Sequence, residues 1–340
     1  NMGEKFSSVG MSDQAVLSYL RGGEVKLAIE TCVLLNQWDR AVELAEEHNY
    51  PAIEGLLSKY ATHLLSKGKT VQAINLYRKA NRHTDTAKLL IQLAKESKSK
   101  GAEPDFIKKI YVLAALEMDA YRNESFNMEM GAGTTTKGGM TTVDQTQQTL
   151  SNLMAHDSAT SSDKELELGW KGAEAYHLFM LAQRQLYDAQ MDPDGAGFDT
   201  AMRTAMRLNK YEHILDPVDV HSLVALTSYY NGFFGQCSRA FTKLETSEEC
   251  PDDKKEGFSE LAMDIFTTNP PTDPAKTVDA DGKFCVASGK PIQEDSRTTR
   301  CTTCKRHSLT QEIRRYALRN CPLCHSPLGG TSAALPTAYE

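Results

Sequence analysis

Apolar positions recur at helical spacing along most of this chain. Stretches such as Gly23–Glu30, Asp39–Glu47 and Val71–Ala80 place Ala with Leu or Ile at positions i, i+3 and i+4. This spacing gives each stretch one apolar stripe, which is typical of an amphipathic helix. The sequence therefore predicts a series of short helices over residues 11–130 and a second series over residues 163–268.

The second series has clear beginnings and a clear end. Asp216 and Pro217 open one of its helices, because Asp is a favoured N-cap residue and Pro is favoured at the first helical position. After residue 268 the run Asn269-Pro-Pro-Thr-Asp-Pro supplies three prolines, which remove backbone donors and end helix formation. Residues 269–282 are therefore expected to form a linker.

The helices also repeat. Ala41 and Ala73 open matching Ala-Val/Ile-x-Leu segments 32 residues apart, close to the tetratricopeptide period of about 34 residues. Gly22, Gly23 and Gly68 fall between helices, where a left-handed residue commonly ends a helix. An irregular helical bundle is the alternative. The pattern favours an all-α fold, a tetratricopeptide-like helical solenoid.

Residues 131–162 interrupt the helical pattern with Gly, Thr, Gln and Ser. So few apolar side chains cannot offset the conformational entropy lost on ordering the chain. The segment is predicted to be a flexible insertion between two helices. A modified or partner-binding loop is the alternative.

A cysteine motif near the C-terminus carries the strongest chemical signal. Cys301-Thr-Thr-Cys304 is followed, after sixteen residues, by Cys321-Pro-Leu-Cys324. Two such pairs at this spacing are typical of a zinc site. Four sulfurs leave no open coordination position, so the metal is expected to hold structure together and not to activate water. The sequence predicts a zinc-ribbon-like module over residues 283–328, followed by a tail over 329–340, and four ordinary thiols are the alternative.

A second metal site is a weaker possibility. Cys285 begins Cys-Val-Ala-Ser288, which looks like a CxxC turn whose second sulfur has become a hydroxyl. His307 and His325 lie beside the other turns, but three candidate ligands without a fourth make a poor site. The remaining cysteines are expected to be buried small apolar side chains: Cys32, Cys237 and Cys250.

Charge is distributed unevenly. The chain carries a net charge of −7, yet residues 283–328 contain nine Lys or Arg against three Asp or Glu. Four thiolates with one zinc would leave this module an excess of about +4, a small basic cap on an acidic body. No run of eighteen apolar residues is present, so no transmembrane segment is predicted.

Metal-type cysteines without a signal peptide point to a reducing compartment, the cytosol or a space continuous with it. The sequence opens with Asn1-Met2-Gly3, already within the helical pattern, which suggests an excerpt of a longer protein. The sequence contains no GxxxxGK[ST], GxGxxG, GxSxG or HExxH motif. No enzymatic activity and no catalytic residues are therefore predicted.

The C-terminal third resembles a known family in several segments. These are Phe234–Glu245, Leu261–Phe266, Cys285–Ile292, Cys301–Lys305, Gln311–Ile313 and Cys321–Pro327. They are similar to the WD-repeat/tetratricopeptide subunits of intraflagellar transport complex A. The specific likeness covers residues 234–328, whereas residues 11–230 agree only as helical repeats. The WD-repeat propellers of that family are absent from this sequence.

The resemblance implies a non-enzymatic scaffold that supports retrograde transport and the entry of membrane proteins into cilia. It implies other complex A subunits as partners, with membrane-protein cargo or adaptors contacted indirectly. The cilium or flagellum, the basal body and the cytoplasm are the expected locations.

The sequence leaves two other functions open. A RING-like ubiquitin ligase would need two zinc ions, and the sequence supplies one convincing site. A nucleic-acid-binding zinc ribbon would suit a basic module, but the module offers only Phe284 and Tyr316 for base stacking, and an acidic body repels phosphate. We therefore expect protein partners and no nucleic acid.

Overall fold

The structure is a computed structural model that describes residues 2–132, 142–192, 197–272 and 282–328 of the 340-residue chain. Its contacts divide the chain into two compact units. One comprises Asn1–Leu93 with Leu116–Glu165, and the other comprises Ala94–Ala115 with Leu166–Glu340.

Helices dominate the described residues up to residue 191. They are α1 (Met2–Ser8), α2 (Ser12–Arg21), α3 (Val25–Leu34), α4 (Trp38–Glu47), α5 (Ile53–Ser66), α6 (Thr70–Lys79), α7 (His83–Ser99), α8 (Pro104–Ala132) and α9 (Thr142–Met191). Each of the first five contacts the next along the chain. Contact between sequence neighbours is the arrangement of helical repeat proteins, so the predicted tetratricopeptide-like fold class is confirmed.

The helices of the first unit end in the same way. The N–H of the residue after the turn bonds back to a carbonyl in the last helical turn, as from Gln37 to Cys32 over 2.8 Å. The turn residue has positive φ, which is +75° at Gly23 and +72° at Gly68, as predicted. The prediction for Gly22 is wrong: its φ is −81°, because it caps α2 and leaves the left-handed position to Gly23. Asparagine fills the same role after α3, α4 and α6: Asn36, Asn49 and Asn81.

Small side chains line the core of the first unit. Ala15, Ala28, Ala41 and Ala45 are fully buried in one cluster, together with Cys32. A methyl side chain lets neighbouring helices approach closely, and larger residues fill the remaining space. The matched Ala41 and Ala73 of the predicted repeat are both fully buried.

The helices of the second unit pack in the same sequential way. They are α10 (Phe198–Arg207), a short 3-10 helix (Leu208–Tyr211), α11 (Pro217–Tyr230), α12 (Phe234–Thr246) and α13 (Asp252–Thr268). Asp216 caps α11, since its carboxylate accepts a hydrogen bond from Val218 N–H over 2.8 Å, and Pro217 is the first helical residue. Both predictions for this helix start are confirmed.

Residues 94–115 group with the second unit because α8 and α9 approach closely there. A Cβ on Gly169 would lie 3.0 Å from the backbone nitrogen of Ala115, and one on Gly172 would overlap the Tyr111 ring. Tyr111 in turn stacks on Tyr176, with ring centroids 6.0 Å apart. Glycine is therefore required on this face of α9.

The C-terminal module, residues 283–328, is small and mostly irregular. Strands β1 (Thr298–Arg300) and β2 (His307–Leu309) form an antiparallel hairpin in which Thr298 pairs with Leu309 and Arg300 with His307. A short helix, α14 (Thr310–Arg315), follows directly. The loop of this hairpin carries the first CxxC motif.

Some predicted boundaries fall on residues that the structure does not describe. Within the predicted insertion at 131–162, residues 133–141 lie outside the described residues, and 142–162 have helical backbone as the start of α9. Residues 273–281 of the predicted linker and the tail from residue 329 also lie outside them. The domain boundaries stay predictions. None of the described helices combines the length and the apolar character needed to cross a membrane.

Candidate metal centre

Three turns of the C-terminal module share one backbone geometry. In each, the N–H of the first cysteine donates a hydrogen bond of 2.8 to 2.9 Å to the carbonyl five residues later. The three bonds run from Cys285 to Lys290, from Cys301 to Arg306 and from Cys321 to Ser326. The residue after each turn has positive φ, namely Gly289, Lys305 and His325. The likeness of the Cys285–Ser288 segment to a CxxC turn thus extends to its backbone.

The second and third turns bring four thiols together. Cys301 Sγ lies 3.6 Å from Cys324 Sγ, and Cys304 Sγ lies 3.6 Å from Cys321 Sγ. All four sulfurs lie within 4.8 Å of one another, and all four residues are buried. A tetrahedral zinc with Zn–S bonds of about 2.3 Å would hold its sulfurs about 3.8 Å apart. The spacing and the donor type therefore fit a structural zinc ion.

The titration of these thiols also favours a cation. Hydrogen bonding with Cys321 and Cys324 raises the pKa of the Cys304 thiol, whereas the hydrogen bonds of Cys304 and Cys321 lower the pKa of the Cys324 thiol. Four thiolates held this close together would repel one another, so the cluster resists full ionisation. A bound dication removes that resistance, because each thiolate then faces positive charge.

The possible second site is not assembled in the described part of the chain. Cys285 Sγ accepts a hydrogen bond from Leu309 N–H over 3.2 Å, so this sulfur serves the backbone of β2. The buried hydroxyl of Ser288 occupies the position of a second thiol. His307 and His325 join no metal-ligating group there, and the cluster that is present consists of the four other cysteines.

The first turn contacts helices instead of a metal. His177 of α9 donates from Nε2 to the Val286 carbonyl over 2.7 Å, and Gln185 Nε2 donates to the Ser288 carbonyl over 2.8 Å. From α10, the Arg207 guanidinium bonds to the Gly289 carbonyl. Three side chains thus bind three carbonyls of one five-residue turn.

Close packing accompanies these bonds. Arg207 also lies over the Phe284 ring, 4.8 Å from its centroid. Gly289 has φ +68°, and a Cβ at this position would overlap Thr204 Oγ1 of α10. The first turn is therefore seated on α9 and α10, and only glycine fits at its end.

A buried ion pair joins the second turn to α9. Arg306 Nη2 lies 2.7 Å from a carboxylate oxygen of Glu174, whose side chain is 5% exposed. Burial raises the pKa of Glu174, and the positive charge of Arg306 and a hydrogen bond from Tyr211 oppose that rise. Truncating Arg306 would leave the Glu174 carboxylate buried without its partner charge, which is destabilising.

Sequence reasoning missed these contacts. His177 is buried and its imidazole is hydrogen-bonded to the Val286 carbonyl of the module. Nothing in the local pattern marks it, Gln185, Arg207 or Glu174 as a contact of the module, because their partners lie about 80 to 130 residues away along the chain. The other cysteines are buried, as predicted: Cys32, Cys237 and Cys250.

Three family models match separate parts of the chain. The model described as "IFT121-like, TPR repeats" matches residues 167–273. The model described as "WD repeat-containing protein 35, TPR repeats" matches residues 51–120. The model described as "IFT121, second zinc finger domain" matches residues 283–329. Together they place the chain in the class of helical repeat proteins with a C-terminal zinc finger.

Individual relatives agree. WD repeat-containing protein 35 of Homo sapiens is 42% identical over 334 residues, which are 96% of this chain and 27% of that protein. The Rattus norvegicus protein of the same name is 40% identical over 331 residues, with 95% and 27% covered. Intraflagellar transport protein 172 homolog of Homo sapiens is 34% identical over 67 residues, 20% of this chain and 4% of that protein.

The chain belongs to the family of IFT121-like proteins that includes WD repeat-containing protein 35. The resemblance seen in the sequence is thereby confirmed. The chain spans 27% of the length of the WD repeat-containing protein 35 relatives.

Proposed function

We propose that Cys301, Cys304, Cys321 and Cys324 bind one structural zinc ion. The observation that carries this is the buried group of four sulfurs within 4.8 Å of one another, in a segment matched by a zinc finger model. Zinc would cross-link the hairpin loop to the turn that follows α14, in a module with little secondary structure of its own. The metal content of the purified chain tests this. One zinc per chain is expected, and two would revive Cys285, His307 and His325 as ligands.

We further propose that the chain is a scaffold part of a ciliary transport complex, intraflagellar transport complex A. In this role it supports retrograde transport and the ciliary entry of membrane proteins through protein–protein docking, without catalysis. Its partners are other complex A subunits, and membrane-protein cargo or adaptors are reached through them. The site of action is the cilium or flagellum, with the basal body and cytoplasm. Family membership over 96% of the chain is the main support.

The fold suits such a role. Helix pairs in series expose extended surfaces that bind helices or strands of another chain. Of the basic residues in the module, Arg306 is paired with Glu174 and Lys290 with Glu312 over 2.9 Å. The chain as a whole is acidic and the module offers few aromatic side chains for base stacking, which favours a protein partner over nucleic acid.

Recovery of partner subunits tests the scaffold. The 340-residue chain is immobilised, complex A subunits are applied, and recovery is compared with that of a Cys301→Ser/Cys304→Ser variant. Loss of subunits with the variant is expected if the folded module is a docking element. Cys285→Ser is the matched control, because it changes a buried cysteine of the same module that lies outside the four-sulfur group. Equal recovery by all three proteins would refute docking through the module, and ubiquitin transfer by the intact chain would refute the scaffold.

A further inference from the structure

A cavity of about 380 Å³ lies where the C-terminal module meets α9 and the 3-10 helix. Its lining includes Lys171 and Glu174 of α9, Lys210 and Tyr211 of the 3-10 helix, and Lys283 and Arg306 of the module. It is separate from the four-sulfur group, whose cysteines do not line it. Neither the proposed zinc nor the helical core accounts for this cavity.

Positive charge dominates the described lining. Three lysines and Arg306 face one carboxylate, that of Glu174. This carboxylate is already engaged, since it binds Arg306 and accepts a hydrogen bond from Tyr211. The cavity therefore presents cationic groups in excess, and its one acid is occupied.

Lys171, Lys283 and Arg306 remain available to a ligand. Lys171 pairs with Glu167 over 2.6 Å, but both side chains are largely exposed, and such pairs are weak and exchange readily. Lys283 is exposed, and no described acid lies within ion-pair distance of it. Arg306 donates one of its five N–H groups to Glu174, so other N–H groups of its guanidinium can bind a ligand. Burial, Arg300 and Lys283 lower the pKa of His307, as expected where the local field is positive.

We propose that this cavity binds a phosphate group carried on a side chain of a partner protein. A phosphate ester carries about two negative charges and three acceptor oxygens, so it can engage several of these cations at once, whereas a carboxylate carries one charge. The Phe284 ring forms an apolar wall beside the cations, which suits the carbon atoms of the modified side chain. A free phosphate ion would leave that wall uncovered.

The location couples binding to docking of the module. Lys171, Lys210 and the module residues Lys283 and Arg306 come together only while the module is seated on α9. A ligand that binds this seated form alone stabilises it by mass action. A phosphorylated partner would therefore strengthen the attachment of the module to the helices. The proposal rests on the proposed function only in taking the ligand to be part of a protein.

Peptide binding by the 340-residue chain tests the proposal. The probes are a degenerate heptapeptide library with a central phosphoserine, the same library with serine, and inorganic phosphate. We expect at least about tenfold greater retention of the phosphorylated library, and its loss in Lys283→Glu. Arg314→Glu is the matched control, since it makes the same charge change at an exposed residue of α14 outside the cavity. Inorganic phosphate should displace the peptides only at a concentration about tenfold or more above theirs.

Three results would overturn the inference. They are equal retention of both libraries, equal loss in Lys283→Glu and Arg314→Glu, and displacement by inorganic phosphate at the peptide's own concentration. The last would assign the cavity to a small anion. The subunit recovery experiment tests the scaffold separately. If the chain recovers complex A subunits but does not bind phosphopeptides, this inference is wrong and the proposed scaffold function is unaffected.

Discussion

His177 and Val286 lie 109 residues apart and are joined by a 2.7 Å hydrogen bond from the imidazole Nε2 to the backbone carbonyl. The carbonyl belongs to the first turn of the module, whose backbone conformation is that of the metal-binding CxxC turns. Ser288 takes the place of the second cysteine in this turn. Side chains of α9 and α10 bind the backbone carbonyls of this turn. The turn keeps a metal-site geometry and uses it to attach the module to the helices.

Removing the His177 donor should loosen this attachment. His177→Leu introduces an apolar side chain of similar size. It leaves the Val286 carbonyl buried without its hydrogen-bond donor, which costs about 1 to 3 kcal/mol. We expect faster hydrogen exchange across residues 283–292 and a lower free energy of unfolding in urea. His48→Leu is the control because His48 is exposed. Unchanged exchange in His177→Leu would show that the bond contributes nothing to docking.

The same histidine predicts a pH dependence. Burial lowers the pKa of His177 from 6.5 to about 4, with smaller effects of Lys108 and His325 in the same direction. The folded chain therefore resists a proton that the unfolded chain binds below about pH 6.5. Its contribution to stability is complete above that pH and is lost as the pH falls toward 4, by on the order of 3 kcal/mol.

Urea unfolding at pH 7 and pH 4.5 measures this effect. Other groups titrate over the same range, so the relevant quantity is the difference between the wild type and His177→Leu. The wild type should lose more stability than the variant on acidification. Parallel losses in the two proteins would contradict the assignment to His177.

The structure shows why sequence reasoning succeeded in some places and not in others. Local signals predicted the Asp216 cap, the repeated helices and the grouping of the four cysteines, because each depends on residues close together in the chain. The residues that end the helices were only partly predicted, since asparagine as well as glycine takes the left-handed position, as at Asn36 and its counterparts. The attachment of Val286 to His177 depends on long-range packing, which no short pattern encodes.

Loss of the proposed metal should be confined to the C-terminal module. Structural zinc contributes on the order of 10 kcal/mol to the folding of small domains. Cys321→Ser, or treatment with a chelator, should therefore unfold residues 283–328. The helical units have their own buried cores, so most far-ultraviolet circular dichroism should remain. Cys237→Ser offers a control, since Cys237 is buried in α12 away from the cluster. Collapse of the helical signal on chelation would contradict separate folding.

The composition of residues 131–162 predicts that they are dispensable for folding. Replacing them with a short Gly/Ser linker also removes the first part of α9, because residues 142–162 have helical backbone. A flexible connection in its place costs only about 0.6 kcal/mol for each doubling of its length. The melting temperature should then shift by no more than about 2 °C. Calorimetry of the replaced and intact chains measures this shift, and a fall of many degrees would mean that the segment packs against the rest.

Two glycines with the same backbone conformation allow the cost of backbone strain to be distinguished from the cost of a side-chain clash. Gly289 and Gly232 have φ of +68° and +69°, so alanine at either position costs about 1 to 2 kcal/mol in the left-handed region. Around Gly232 a Cβ meets nothing within 4 Å, whereas at Gly289 it overlaps Thr204 of α10. Gly289→Ala should therefore lower the free energy of unfolding more than Gly232→Ala.

Only Gly289→Ala should also speed hydrogen exchange across residues 283–292, because only there does the added methyl group push the first turn off the helices. A double variant Gly289→Ala/Thr204→Ala should restore part of the loss, since removing the Thr204 hydroxyl makes room for the methyl group. Equal effects of Gly289→Ala and Gly232→Ala, without rescue, would mean that the backbone strain alone matters and that the turn is not seated as described.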